Sequence, residues 1–486
     1  MNRSNSMRFS ALLAGVALSI APLSAQTARN ISPSDKATGA KANPDLTAEY
    51  GGAETGPQAA YVASIGKNIA IQSGLSNARD DFTVTLLNSP VNNAFAIPGG
   101  YVYTTRQLVA LMNNEAELAG VLGHEIGHVA ARHSAKRQKE ATRNTIFGVL
   151  GTVLSSAILG NSALGQLGQK AFSQGSQLLT LKFSRTQETE ADNLGIQYLK
   201  SARYDPRAMS RVLQSLANQT ALDARIMGSG GNRVPEWAST HPDPASRVRA
   251  ALVQAGPAAT GITNRDTFLS RIDGLMYGDD PKQGVVEGSR FIHPDFRLAF
   301  QAPNGFYITN STRAVSITGT SGKGEFSAAP YNGDLDAYIR AVFDSLGGQN
   351  QTQIPIAQIQ RTTVNGIPAA YGTAQVTSGN SQVEVVVFAY EFSNTQAYHF
   401  TTIAAAGQSG NFDPMFRSVR RISASEAAAI KPRRISVVTA RSGDTVRSLA
   451  SRMAYSDNQL ERFLVLNGLT AGSSLSAGQK VKIVVS

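Results

Sequence analysis

His124-Glu125-Ile126-Gly127-His128-Val129-Ala130-Ala131-Arg132-His133-Ser134-Ala135-Lys136-Arg137 lies inside the most strongly helical stretch of the chain, residues 114–139. Residues four apart on an α-helix are separated by about 400°, so the imidazoles of His124 and His128 leave one face a turn apart and can grip one ion. Glu125 stands about 100° round the helix, where its carboxylate can reach a water beside that ion without ligating the ion itself. A catalytic zinc needs a third protein ligand and an open fourth position. A glycine at 131 and a histidine at 134 would supply the ligand from the same segment, but the chain has Ala131 and Ser134 there. His133, about 500° on from His128, points elsewhere and is read as a surface residue or a support behind a ligand.

The third ligand should therefore be a carboxylate from a later helix. Ser184-Arg185-Thr186-Gln187-Glu188-Thr189-Glu190-Ala191-Asp192 offers one, because Glu188 and Asp192 are four apart and share a face. Glu188 can take the metal while Asp192 holds the distal nitrogen of a ligating histidine and fixes its tautomer. Glu190 faces nearly the opposite way.

Composition narrows the chemistry further. The chain has 486 residues, 42% of them hydrophobic, enough for real cores and a prior of about three domains. It contains no cysteine, which removes disulfide scaffolds, thiolate metal sites and thiol nucleophiles and leaves His and carboxylates to hold any metal. With 45 Lys+Arg against 34 Asp+Glu the net charge is +11. That charge is spread out, without a basic–aromatic stripe or a glycine-rich phosphate loop, so nucleic acid is not expected as a partner and an anionic envelope polymer or headgroup is.

The expected layout follows from composition shifts. Arg3 and Arg8 precede an apolar run at 11–23, and Leu23-Ser24-Ala25 offers a cleavage site, so residues 1–25 read as an export signal. No cysteine follows to carry a lipid, which predicts a periplasmic, soluble protein and not a lipoprotein. Residues 26–45 read as a polar linker and 46–272 as a mainly helical domain with short strands near 81–87 and 101–105. Residues 146–160, IFGVLGTVLSSAILG, are apolar but shorter than the roughly 18 residues a membrane span needs, so 146–179 is read as a packed or mobile segment with possible peripheral membrane contact. Alternating strand patterns over 285–423, with a helix near 335–346, predict an α+β accessory domain. Residues 424–434 read as a basic linker and 435–486 as a small unit of their own.

HEIGHVAARHSAKR at 124–137 together with ETEAD at 188–192 resembles the CAAX-prenyl-protease-like gluzincin metallopeptidases of the HtpX/BepA type. The resemblance implies a zincin-like fold and one zinc ion per chain on His124, His128 and Glu188, with Glu125 as general base and acid. It also implies that Asn93, Ala94, Phe95 and Ala96 form an edge strand beside the cleft, suited to an extended peptide whose backbone is bound whatever its side chains. In such enzymes the segment at Ser239-Thr240-His241-Pro242-Asp243, followed by Arg247, reaches the active site, where His241 either caps the metal or steadies the oxyanion. The expected substrates are unfolded or misassembled envelope proteins; a chaperone or scaffold with a latent, His-capped zinc site is the alternative.

The C-terminal segment carries Ser442-Gly443-Asp444-Thr445-Val446, then Val465-Leu466-Asn467-Gly468-Leu469, then Gly478-Gln479-Lys480-Val481. It resembles a LysM module with βααβ order, which implies peptidoglycan as a partner. Thr445 should cap the first helix and Asn-Gly should end the second in a left-handed turn. Residues 285–425 are similar to the PsbP type of α/β sandwich, and His293 and His399 there are read as packing or surface histidines.

Overall fold

The structure, a computed structural model, describes residues 30–75, 77–134, 136, 183–227, 241, 244–256, 260–312, 314–346, 354–378 and 381–486. The expected signal at 1–25 and the apolar segment at 146–179 lie outside the described residues. Among the described residues no helix is long and apolar enough to cross a membrane.

The expected linker at 26–45 is corrected: most of it is helical. Helix α1, Pro33–Glu49, begins where the Ser32 side chain accepts from the Asp35 amide and Pro33 supplies a preset first turn. It docks because residue 39 has no side chain; a Cβ on Gly39 would lie 2.0 Å from the Pro98 carbonyl oxygen. Leu46 on the same helix is fully buried with Phe95, Ile97 and Tyr103. Burial at two points anchors a segment whose polar composition reads as a linker.

Next come α2 (Pro57–Ala70), α3 (Ala78–Asp81), β1 (Thr83–Leu87), β2 (Ala94–Ile97), β3 (Tyr101–Thr105) and α4 (Arg106–Leu111). The strands form a three-stranded sheet of order β1-β3-β2, with β1 parallel and β2 antiparallel to β3. Gly99 and Gly100, both at positive φ, make the tight return between β2 and β3. That leaves β2 as an edge strand.

Helix α5, Glu115–Ala130, is the axis of the domain. Asn114 caps it by accepting from the Glu117 amide, and every residue from Glu115 to His128 is buried. Helices α6 (Arg185–Ser201), α7 (Ala208–Met227), α8 (Pro244–Ala255) and α9 (Arg265–Ile272) complete this region. The apolar core around α5 takes in Ile69, Leu118, Leu122, Ile196, Val212 and Phe268.

After β4 (Met276–Tyr277), the chain builds β5 (Val285–Glu287), β6 (Arg290–His293), β7 (Leu298–Gln301), β8 (Phe306–Asn310), β9 (Val315–Gly319) and β10 (Gly322–Ala328). Helix α10 (Leu335–Leu346) precedes β11 (Gln360–Val364), β12 (Ile367–Ser378), β13 (Ser381–Ser393) and β14 (Gln396–Ala405). Seven strands pair in the order β11-β12-β13-β14-β10-β9-β8. Alternation along β13 sends Val385, Val387 and Ala389 to the face covered by Ile339 and Phe343 of α10. Val386, Phe388 and Tyr390 go to the opposite face, an aromatic core shared with Phe400, Phe412 and Phe416. The α+β character expected here is what the strands and helix form.

The last elements are α11 (Asp413–Ser418), β15 (Arg420–Arg421), α12 (Ala424–Ala429), β16 (Arg433–Thr439), α13 (Val446–Ala450), α14 (Gln459–Asn467) and β17 (Lys480–Val485). Residues 424–434 are therefore no linker. Ser423 and Glu426 close a reciprocal cap on α12, and Arg433 and Arg434 already pair with Tyr277 and Met276 of β4. The expected strand–helix–helix–strand order is present in 433–485, with Thr445 accepting from the Ser448 amide and Gly468 ending α14 at φ 61°.

That unit does not stand apart, which corrects the expectation that 435–486 is a small unit of its own. Leu449, Phe463, Leu466, Val481 and Ile483 belong to the same buried cluster as Leu118 and Phe268. The fully buried Lys482 Nζ donates to the carbonyls of Ala110, 2.7 Å away, and Met112. A lysine can be buried this way only where fixed acceptors replace its water.

Candidate metal centre

Two helices carry the site, and glycines set how closely they approach. A Cβ on Gly123 of α5 would come within 3.4 Å of the Gly195 Cα on α6, and one on Gly127 within 3.2 Å of the Leu194 Cβ. Helix α6 starts on a reciprocal cap between Ser184 and Gln187, so Glu188 falls in its first turn and Asp192 one turn on, both buried toward α5. Helix α8 brings Arg247 in its own first turn, and His241 arrives from the preceding segment.

These elements bring His124, His128, Glu188 and His241 together, each offering a ligand atom within 4.8 Å of the others, all buried. The Nε2 atoms of His124 and His128 are 3.0 Å apart. Glu188 places Oε2 3.6 Å from the first and Oε1 3.5 Å from the second. His241 Nδ1 lies 3.3 Å from His124 Nε2 and 3.0 Å from Glu188 Oε1. On its far side, His241 Nε2 is 3.5 Å from Glu125 Oε1.

Asp192 Oδ1 sits 2.9 Å from His124 Nδ1, so that nitrogen carries the proton and the Nε2 lone pair faces the cluster. Arg247 grips Asp192 with Nε at 2.7 Å and Nη2 at 2.5 Å, and reaches Glu188 Oε2 with Nη1 at 2.6 Å. The residues fit a divalent cation. Neutral imidazole lone pairs converging at about 3 Å repel one another unless a positive charge stands between them, and a set of nitrogen and carboxylate donors without sulfur suits zinc.

His133 departs from the helical-wheel reading. The helix ends at Ala130, and Arg132 takes a left-handed φ of 56°, which swings the next residue back. His133 is fully buried, with Nδ1 2.8 Å from His128 Nδ1 and Nε2 3.1 Å from Glu190 Oε2. It is not a surface residue, and Glu190 is joined to the site through it.

Electrostatics separate the carboxylates. Burial raises the pKa of Glu125, against the opposing fields of His241 and His124. Burial also acts to raise Glu188, but the charge and hydrogen bond of His241, with His124 and Arg247, outweigh it and keep that carboxylate ionised. Asp192 is held far below its ordinary range in the same way, burial being overcome by hydrogen bonds from Arg247 and His124. Neither carboxylate oxygen of Glu125 has a hydrogen-bond partner among the described residues. A cavity of about 10 Å³, room for one water, opens between Glu125, His124 and Arg247 against Val121, Met209 and Leu213.

The edge-strand residues do something different. Asn93 Nδ2 donates to the Tyr50 hydroxyl at 3.3 Å, and the Phe95 ring packs 5.0 Å from Tyr50 and 4.7 Å from Tyr103. These side chains hold α1 on the sheet; what the strand from Ala94 offers outward is its backbone edge.

Residues 57–254 match Peptidase family M48. The beta-barrel assembly-enhancing protease of Yersinia pestis is 34% identical over 229 residues, covering 45% of this chain and 44% of that protein. Its Escherichia coli K12 counterpart is 32% identical, covering 46% and 45%. The mitochondrial metalloendopeptidase OMA1 of Schizosaccharomyces pombe is 34% identical over 193 residues, covering 40% of this chain and 52% of that one. The chain thus spans about half the length of the curated relatives it matches. Among solved structures, the cyanobacterial PsbP of Synechocystis covers 27% of this chain and 91% of its own at 10% identity, with a TM-score of 0.22, too low to fix a fold. The segment that matches Peptidase family M48, residues 57–254, holds all of His124, Glu125, His128, Glu188, Asp192, His241 and Arg247.

Proposed function

We propose that this chain is a zinc-dependent endopeptidase that hydrolyses peptide bonds of unfolded or misassembled envelope proteins. In this reading it is exported to the periplasm by its N-terminal signal and held at peptidoglycan by its C-terminal LysM-like unit. The observation that carries the hydrolytic reading is Glu125: a buried carboxylate with neither oxygen hydrogen-bonded among the described residues, beside a cluster of His124, His128, Glu188 and His241. Relatives named beta-barrel assembly-enhancing protease support an envelope substrate. The βααβ order of 433–485 and the +11 charge support an anionic wall polymer as anchor.

His124, His128 and Glu188 would hold one zinc ion, which when bound polarises a scissile carbonyl and acidifies a neighbouring water. Glu125 takes the proton of the attacking water; burial makes it a stronger base than a solvated carboxylate. It then delivers that proton to the leaving amide nitrogen as the C–N bond breaks. Asp192 keeps the proton of His124 on Nδ1, and Arg247 positions Asp192 and Glu188 together. An extended peptide would add to the outer edge of β2 through its backbone.

One observation favours the second reading, a latent enzyme or scaffold. His241 supplies a fourth protein donor where a catalytic site keeps a position open. Metal analysis and casein hydrolysis on wild type and Glu125→Gln test the proposal. Zinc retained with hydrolysis abolished supports it; full activity in Glu125→Gln overturns it.

A further inference from the structure

Ligand histidines are oriented by whatever holds their other nitrogen, and His124 and His128 are held differently. His124 has a carboxylate directly behind it, Asp192. Behind His128 stands another imidazole, His133, and behind that the carboxylate of Glu190, 57 residues further along the chain.

We infer that His133 and Glu190 form a relay that fixes the tautomer and ring orientation of His128 as a metal ligand, an inference that rests on the zinc reading of the site. A carboxylate only accepts, so Glu190 Oε2, 3.1 Å away, assigns the proton of His133 to Nε2 and leaves its Nδ1 an acceptor. His128 Nδ1, 2.8 Å from that acceptor, must then donate. With Nδ1 protonated, the neutral His128 ring has its lone pair on Nε2, aimed at His124 Nε2 and Glu188. One carboxylate thereby sets two rings in sequence.

The surroundings support a dedicated arrangement. His133 is fully buried, while Glu190 keeps a side-chain exposure of 47% and lies 3.8 Å from Lys136 Nζ at the surface. Phe183 stacks on His128 with ring centroids 3.8 Å apart and lies 6.1 Å from His133, shielding the imidazole pair. The left-handed turn at Arg132 is what aims His133 inward. His133 and Glu190 are positioning residues, since neither is among the residues that offer a ligand atom to the cluster and both act through His128.

The test uses the full chain and Zn²⁺ alone, with affinity measured by competition against a chromophoric chelator and folding by circular dichroism. His133→Phe keeps the packing and removes both nitrogens; zinc affinity should fall about 10- to 100-fold. His133→Gln, whose amide oxygen can accept from His128 Nδ1, should recover most of it. Glu190→Gln, at a half-exposed position that cannot unfold the core, should weaken zinc by about tenfold or less. The ligand-field spectrum of the Co²⁺ form should shift in His133→Phe and return in His133→Gln. If wild type binds zinc and folded His133→Phe and Glu190→Gln bind it equally well, the relay is wrong. If wild type takes up no zinc, the metal reading fails and the relay with it.

Discussion

Gly123 and Gly195 face each other across the two helices of the site: a Cβ on Gly195 would lie 3.1 Å from the His124 amide nitrogen and 3.3 Å from the Gly123 carbonyl carbon. Those atoms are backbone and cannot move aside without shifting the helix that carries the metal-cluster histidines. Gly195→Leu should therefore separate α5 from α6, cost about 1–3 kcal/mol in stability and lower zinc content together. Thermal unfolding with metal analysis checks this; an unchanged Tm and zinc content would show that the glycine seam is not what sets the approach.

Lys482 ties the C-terminal unit to the helical core around α5. Lys482→Met should strand the Ala110 and Met112 carbonyls and leave Glu117, whose electrostatic partner it is, more exposed to its own burial, at a cost of about 3 kcal/mol. Truncation after residue 434 should remove the peptidase fold as well as the LysM-like unit. A truncated chain with cooperative unfolding and wild-type zinc content would refute this.

His241 is the fourth residue of the cluster that offers a ligand atom. Because its Nδ1 completes the four-donor cluster, His241→Ala should retain zinc and hydrolyse casein faster than wild type. Slower hydrolysis with zinc retained would instead assign His241 to the oxyanion.

The accessory region should weaken in acid. Burial pushes the pKa of His399 down to about 4 from its usual 6.5, and its Nδ1 lies 2.8 Å from the Tyr338 hydroxyl. The unfolded chain takes up a proton near pH 6.5 and the folded one only near 4, so the stability held by a neutral His399 is whole above 6.5 and is lost as pH falls toward 4. The loss from this one group is about 3 kcal/mol between pH 7 and 4. Urea unfolding of wild type and His399→Gln across that range measures it, and identical pH profiles would remove His399 as the cause. His293, also lowered to about 4 by burial, adds in the same direction.

The sequence by itself determined whatever depends on neighbours along one element. Two histidines and a glutamate at helical spacing, Glu188 and Asp192 sharing a face, the cap at Thr445 and the left-handed end at Gly468 are all local, because helix periodicity and capping act within a turn or two. Tertiary structure alone decided the contacts between distant segments. The helical wheel turns His133 away from His128, yet a left-handed residue at Arg132 brings it back. The polar run at 33–49 becomes a docked helix through Gly39 and Leu46, and Lys482 becomes a core residue because two carbonyls far up the chain await it. Such contacts depend on how closely and at what angle packed elements meet, and spacing within one segment does not encode that.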